Sequence, residues 1–129
     1  MKVFVNGTFD LLHVGHIRLL NFAAEQGNEL TVGIDSDRRV KELKGLARPI
    51  FSVDERKEIL YNLRCVGHVK VFDSDEELID LIRQCDVMVK GSDYRGKPIV
   101  GEDVCKRIIF FDRIDEYSST KKIQRIIGG

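Results

Sequence analysis

Five short apolar runs punctuate the chain: KVFV (2–5), ELTVGI (29–34), HVKVF (68–72), VMVK (87–90) and RIIFF (107–111). They are rich in Val, Ile and Phe, which suits strands buried on both faces. Between most of them the apolar positions change to a helical spacing. The first such stretch opens near His13–His16, carries Ile17, Leu20 and Ala24 on one face and stops at Gly27. A second opens at Ser52, where SVDE is a capping box in which the Ser52 hydroxyl and the Glu55 carboxylate satisfy backbone N–H groups reciprocally. Ser74 opens a third with SDEE followed by LIDLIRQC, a shorter helix is expected over VGEDVCK (100–106), and a last one over 118–127.

Strands alternating with helices imply βαβ units joined by right-handed crossovers. The pattern therefore predicts one α/β domain over residues 1–129: a Rossmann-like, doubly wound, five-stranded parallel sheet with helices on both faces. In such sheets ligands bind outside the carboxyl ends of the strands. Those ends carry Gly7, Thr8, Phe9, Asp10, His13, Gly15 and His16 after the first strand, and Asp35, Asp37, Arg38, Arg39, Lys41, Lys44 and Arg48 after the second. GSDY (91–94) follows the fourth, and RIDEYSST (113–120) follows the fifth.

That edge suits an anionic ligand. Between Ser36 and Arg48 five basic residues face two acidic ones, and Arg113, Lys121, Lys122 and Arg125 add to them near the end of the chain. Ser118, Ser119 and Thr120 would open the last helix, where backbone N–H groups and the positive dipole end favour phosphate. Gly7 and Gly15 would let backbone approach a ligand closely. The Walker A pattern and the G-x-G-x-x-G fingerprint are both absent, which disfavours a P-loop kinase and an ordinary dehydrogenase.

Composition narrows the rest. Lys+Arg and Asp+Glu both number 21, so charge supports neither a nucleic-acid nor a membrane partner. No apolar run is long enough to span a bilayer. Cys65, Cys85 and Cys105 form no C-x-x-C pair and read as small core residues, consistent with a reducing, cytoplasmic setting. His13 and His16 have no third ligand at matching spacing, so no protein metal site is expected. His68 and the acids at 73–80 suit structural roles.

GTFDLLHVGH, with H-x-G-H at His13, Gly15 and His16, resembles the N-terminal signature of the cytidylyltransferase-like nucleotidylyltransferases. RIDEYSST resembles their second motif, and VDERKEIL the segment whose arginine, here Arg56, contacts the triphosphate. The resemblance covers nearly the whole chain. It implies attack by a phosphorylated sugar or alcohol on the α-phosphate of a nucleoside triphosphate, with pyrophosphate leaving. His13 and His16 would stabilise charge at the α-phosphorus, and Lys44 would hold the acceptor's phosphate. Arg113, Ser119 and Thr120 would bind the β- and γ-phosphates, with Mg²⁺ held through triphosphate oxygens and water. Asp10 would help by orienting backbone or metal-bound water.

KELKGLARPI (41–50) and VKGSDY (89–94) resemble the L-K-G-x-x-R-P and K-G-x-D-Y segments of heptose-phosphate adenylyltransferases. Lys44, Gly45, Arg48 and Pro49 match the first; Lys90, Gly91, Asp93 and Tyr94 match the second. ATP with D-glycero-D-manno-heptose 1-phosphate is thus the implied pair, with Asp35 and Arg48 also at the acceptor. The alternative is a CTP:glycerol-3-phosphate cytidylyltransferase, whose members share both main motifs. Base choice would rest on residues 91–94 and 112–118. Outside catalysis, a nucleotide-sensing module would keep the phosphate groups without those holding an acceptor, and a scaffold would need a large exposed apolar stripe. Related enzymes often form homodimers, and one is expected here.

Overall fold

A computed structural model describes residues 1–112. Its elements run β1 (Lys2–Gly7), α1 (Val14–Glu25), β2 (Glu29–Asp35), α2 (Asp37–Lys44), α3 (Val53–Tyr61), β3 (His68–Phe72), α4 (Asp75–Arg83), β4 (Val87–Gly91) and β5 (Ile108–Phe111), with a 3₁₀ turn over Ser92–Tyr94. The five strands form one parallel sheet in the order β3-β2-β1-β4-β5. The chain winds outward from β1 in both directions, so the switch point lies between β1 and β4, where a doubly wound sheet opens a crevice.

Strand alternation divides the core in two. Val3, Val5, Leu30, Val32, Ile34, Val87 and Val89 meet Leu20 and Ala23 of α1 and Leu60 of α3 on one face. Phe4, Phe72 and Met88 meet Leu78 and Ile82 of α4 on the other. Each of these large apolar side chains stabilises the fold by roughly 1.5–3 kcal/mol relative to leaving it in water.

The caps form at Ser52 and Ser74, each hydroxyl accepting from the backbone N–H three residues on. The reciprocal half expected at Ser52 takes another form, and Ser74 has a related one. The Glu55 carboxylate takes the Ser52 hydroxyl at 3.1 Å, and Glu77 takes the Asp73 N–H at 3.1 Å. Two further differences concern whole elements. The basic stretch after β2, read above only as a ligand-facing segment, is helical. Ser36 caps it, accepting from Arg39 N at 3.2 Å, yet only Val40 is buried, so it has almost no apolar period to read. Conversely, VGEDVCK forms isolated turns rather than a helix: Gly101 takes φ +84, and its carbonyl receives the N–H groups of both Val104 and Cys105. The expected helix over 118–127 lies outside the described residues.

His68 pairs with Glu29 at 2.5 Å, the structural role expected of it. Burial pushes the Cys65 and Cys85 thiols above their ordinary value, which makes them poor nucleophiles. No helix among the described residues is long and apolar enough to cross a membrane.

Candidate active site

A cavity of about 690 Å³ opens at the carboxyl ends of β1, β2 and β4, a size suited to a nucleotide-scale ligand. Gly7, Thr8, Phe9, Asp10, His13, Gly15, His16, Asp35, Lys44, Arg48, Gly91 and Tyr94 line it. The strand ends thus bring together in space most of the residues singled out above. Arg113, Ser118, Ser119 and Thr120 lie outside the described residues. Asp93 is exposed and does not line the cavity.

The two histidines build the start of α1. His13 is its N-cap, in extended backbone geometry, and its Nδ1 accepts from Gly15 N at 3.1 Å. His16, at the third helical position, accepts from His13 N through its own Nδ1 at 3.3 Å. The pair is a capping box made from imidazoles, with ring centroids 4.0 Å apart. Because each Nδ1 accepts a backbone N–H, each neutral ring carries its proton on Nε2. Phe9, at φ +48, packs edge-on against His16 at 5.4 Å between centroids and fixes its orientation.

Gly7 lines the cavity and also makes room for a neighbouring ring. A Cβ there would stand 3.0 Å from Phe9 Cε2, so the missing side chain leaves room for Phe9, which in turn props the histidine.

Asp10 orients backbone, one of the two roles expected of it. Its buried carboxylate accepts from Arg48 Nε at 2.8 Å, from Ile50 N at 2.7 Å and from Phe51 N at 2.8 Å. It thereby holds the loop that presents Arg48 to the cavity. Burial alone would raise the Asp10 pKa, but the hydrogen bonds from Phe51, Ile50 and Arg48 outweigh it and hold it below the ordinary carboxylate value. A depressed folded-state pKa contributes stability that is present above the unfolded value and lost as pH falls through the folded one. Wild-type stability should therefore decline below about pH 4 as this carboxylate takes up its proton. Asp10→Asn should be destabilised by roughly 2–3 kcal/mol at pH 7 and show a shallower acid decline in urea melts; an unchanged acid limb would contradict this role.

Arg56 departs furthest from expectation. It does not reach the cavity and is fully buried. Its Nη1 donates to Thr8 O at 2.9 Å and Asp35 O at 2.8 Å, its Nε to Phe51 O at 3.1 Å, and its Nη2 to Asp37 Oδ1 at 2.7 Å. A cation at the start of a helix is unfavourable to the helix dipole, and here carbonyls and a carboxylate of the chain itself compensate it. Arg56 ties the ends of β1 and β2 to the loop before α3.

Arg39 and Lys90, named above only as members of their segments, and Asn6, not named above, also line the cavity. Arg39 donates to Asp35 Oδ1 at 2.8 Å and to Asp75 Oδ1 at 2.6 Å, holding the Asp35 carboxylate in place. Lys90, half-buried, donates from Nζ to Asn6 Oδ1 at 2.9 Å and lies 4.8 Å from the centroid of the Tyr94 ring. Burial pushes its ammonium below the ordinary lysine value, with Asp35 and Asp93 opposing. Lys90 lies in the VKGSDY segment; for Asn6 no sequence signal pointed to the site.

Among the described residues no three His, Cys, Asp or Glu side chains gather to hold a metal ion. The Asp10 carboxylate is committed to Arg48 and backbone, and Asp35 to Arg39, so this donor set fits a cation carried on a ligand's own phosphates rather than one caged by protein.

The first strand of this doubly wound sheet leads into a histidine-capped helix at the switch point, the arrangement of a nucleotide-handling α/β domain. The cytidylyltransferase-like family profile matches residues 4–125, and the chain belongs to that family. It is 48% identical over 126 residues to the bifunctional protein HldE of Campylobacter concisus, covering 96% of this chain and 26% of that one. It is 44% identical over 131 residues to HldE of Syntrophotalea carbinolica, covering 97% and 26%. The chain thus spans about a quarter of the length of these curated relatives. Among solved structures it resembles a lipopolysaccharide core biosynthesis protein from Thermoplasma volcanium, at TM-score 0.72 and 22% identity, covering 89% of this chain and 98% of that one. That likeness concerns the fold.

Proposed function

We propose that this chain transfers a nucleoside monophosphate from a nucleoside triphosphate to a phosphorylated acceptor, with ATP and D-glycero-D-manno-heptose 1-phosphate as the pair. The observation that carries the reading is the paired histidine cap. An imidazole whose Nδ1 is engaged by a backbone N–H and whose Nε2 bears the proton acts as a hydrogen-bond donor, not as a base. A phosphate acceptor needs no base, because its attacking oxygen is already anionic. The new bond joins that oxygen to the α-phosphorus, the bond from the α-phosphorus to the bridging oxygen of the β-phosphate breaks, and pyrophosphate leaves with the electron pair. What the reaction does need is positioning and donors aimed at the growing negative charge.

The roles follow from placement. His13 and His16 donate to the triphosphate at the α-phosphorus. Lys44 and Arg48, lining the cavity, hold the acceptor's phosphate, and Asp10 fixes Arg48. Gly91 and Tyr94 border the nucleotide. Arg113, Ser118, Ser119 and Thr120 retain the triphosphate-binding role that the motif implies. Mg²⁺ on the triphosphate oxygens supplies charge neutralisation. The R-P and K-G-x-D-Y segments, together with 44–48% identity to the HldE proteins, support the heptose acceptor over glycerol 3-phosphate.

Pyrophosphate release by the purified protein with Mg²⁺ tests the substrates. ATP, CTP, GTP and UTP would each be paired with heptose 1-phosphate and glycerol 3-phosphate. Release confined to ATP with heptose 1-phosphate is the expected result. Release confined to CTP with glycerol 3-phosphate would overturn the substrate pair while leaving the reaction.

A further inference from the structure

The cavity straddles the edge of the sheet, and the histidines occupy only one side of it. On β1, Val3 and Val5 face α1 and α3 while Phe4 faces α4. By alternation Asn6, two residues past Phe4, shares the α4 face. On β4, Lys90 follows Met88 by two, and Met88 stands opposite Phe4 in the parallel register. Asn6 and Lys90 are therefore cross-strand neighbours, as their 2.9 Å hydrogen bond confirms. Asp35 joins the same face, two residues past Gly33, whose open side meets the Phe4 ring. Leu78, Ile99 and Val100 wall this lobe.

The row carries an unusual charge. Lys90 forms no ion pair among the described residues; Asn6 and the face of Tyr94 are its partners. A cation partly withdrawn from water with no carboxylate in direct contact costs the fold, even with Asp35 and Asp93 acting on it from a distance. Its ammonium has three N–H donors, of which Asn6 Oδ1 takes one. The Asn6 amide adds donors through Nδ2, and Asp35 offers Oδ2, since Arg39 engages Oδ1. Donors and an acceptor alternate above an apolar wall. A phosphate asks for donors alone and would be repelled by Asp35, whereas sugar hydroxyls both give and accept.

We propose that Asn6, Lys90 and Asp35 form the subsite for the hydroxyl groups of the acceptor sugar, with Lys90 the contact that separates a cyclic sugar phosphate from a short polyol phosphate. The inference rests on the nucleotidyl-transfer reading above. Lys90 is a specificity determinant, and it stands apart from the groups that face the α-phosphorus.

Lys90→Met, which keeps length and removes charge, tests it. The KM for heptose 1-phosphate should rise about tenfold or more, while the KM for ATP and the inhibition constant of glycerol 3-phosphate stay within about twofold. The melting temperature should hold or rise, because a half-buried cation is replaced by an apolar chain. Lys90→Arg, which keeps charge but not shape, should also raise the acceptor KM. Equal weakening of heptose 1-phosphate and glycerol 3-phosphate would place Lys90 at the phosphate and overturn the proposal. A raised KM for ATP, or a lower melting temperature with acceptor affinity intact, would overturn it equally. Calorimetric titration of both proteins with heptose 1-phosphate reads the subsite without turnover. Binding that the variant loses supports the subsite even if no pyrophosphate is released, and wild-type protein that binds no sugar phosphate, with or without ATP, sinks it.

Discussion

Replacing His16 with alanine is expected to lower turnover by roughly 10²- to 10⁴-fold while the protein remains folded. The loss follows from removing the Nε2 donor. His16 also does a second job, since its Nδ1 caps His13 N at 3.3 Å, and loss of a capping bond costs about 1 kcal/mol. The two jobs reside on different atoms of one ring and can be separated. Asparagine places its oxygen near the position of Nδ1 but has nothing at Nε2, whereas glutamine reaches the Nε2 position with an N–H donor. His16→Asn should therefore keep most of the stability and little of the activity, and His16→Gln the reverse. Thermal melts and initial rates on the same preparations check this. Equal activities for the two variants would mean that the ring serves only as a cap.

The largest effect on stability is expected at Arg56. Alanine there strands the carbonyls of Thr8, Asp35 and Phe51 and leaves Asp37 without its cation. Buried groups deprived of partners cost far more than the bonds were worth to begin with. A destabilisation of about 3 kcal/mol, or roughly 10 °C in Tm, is expected for Arg56→Ala. Arg56→Lys should recover little, because one ammonium cannot span the four acceptors that the planar fork reaches. A direct triphosphate contact would give a different result: a raised KM for ATP with Tm unchanged.

Arg56 also shows where the sequence could be read and where it could not. Its neighbourhood was legible: Ser52 and the charges after it announce a helix, and the helix forms. What the side chain does there depends on Thr8 and Asp35, 48 and 21 residues away, which no local pattern encodes. The strands were legible because a buried parallel sheet writes itself as short runs of Val, Ile and Phe. The H-x-G-H spacing was legible because three residues bring two side chains to one side of a helix start. Its capping role lay in which ring nitrogen turned to the backbone, a detail of rotamers. Helix α2 was missed because Val40 is its lone buried residue, and the turns at 100–104 were read as a helix because VGEDVCK imitates an amphipathic period. Lys90 and Asn6 lie 84 residues apart and meet only through the pairing of β1 with β4.

The central claim is that the acceptor's phosphate attacks at the α-phosphorus. Phosphorus NMR of the purified protein with ATP, heptose 1-phosphate and Mg²⁺ tests it most directly. Pyrophosphate and a nucleoside diphosphate sugar should appear in equal amounts as both substrates disappear. ADP and inorganic phosphate, with heptose 1-phosphate untouched, would mean cleavage at the γ-phosphate and would contradict it.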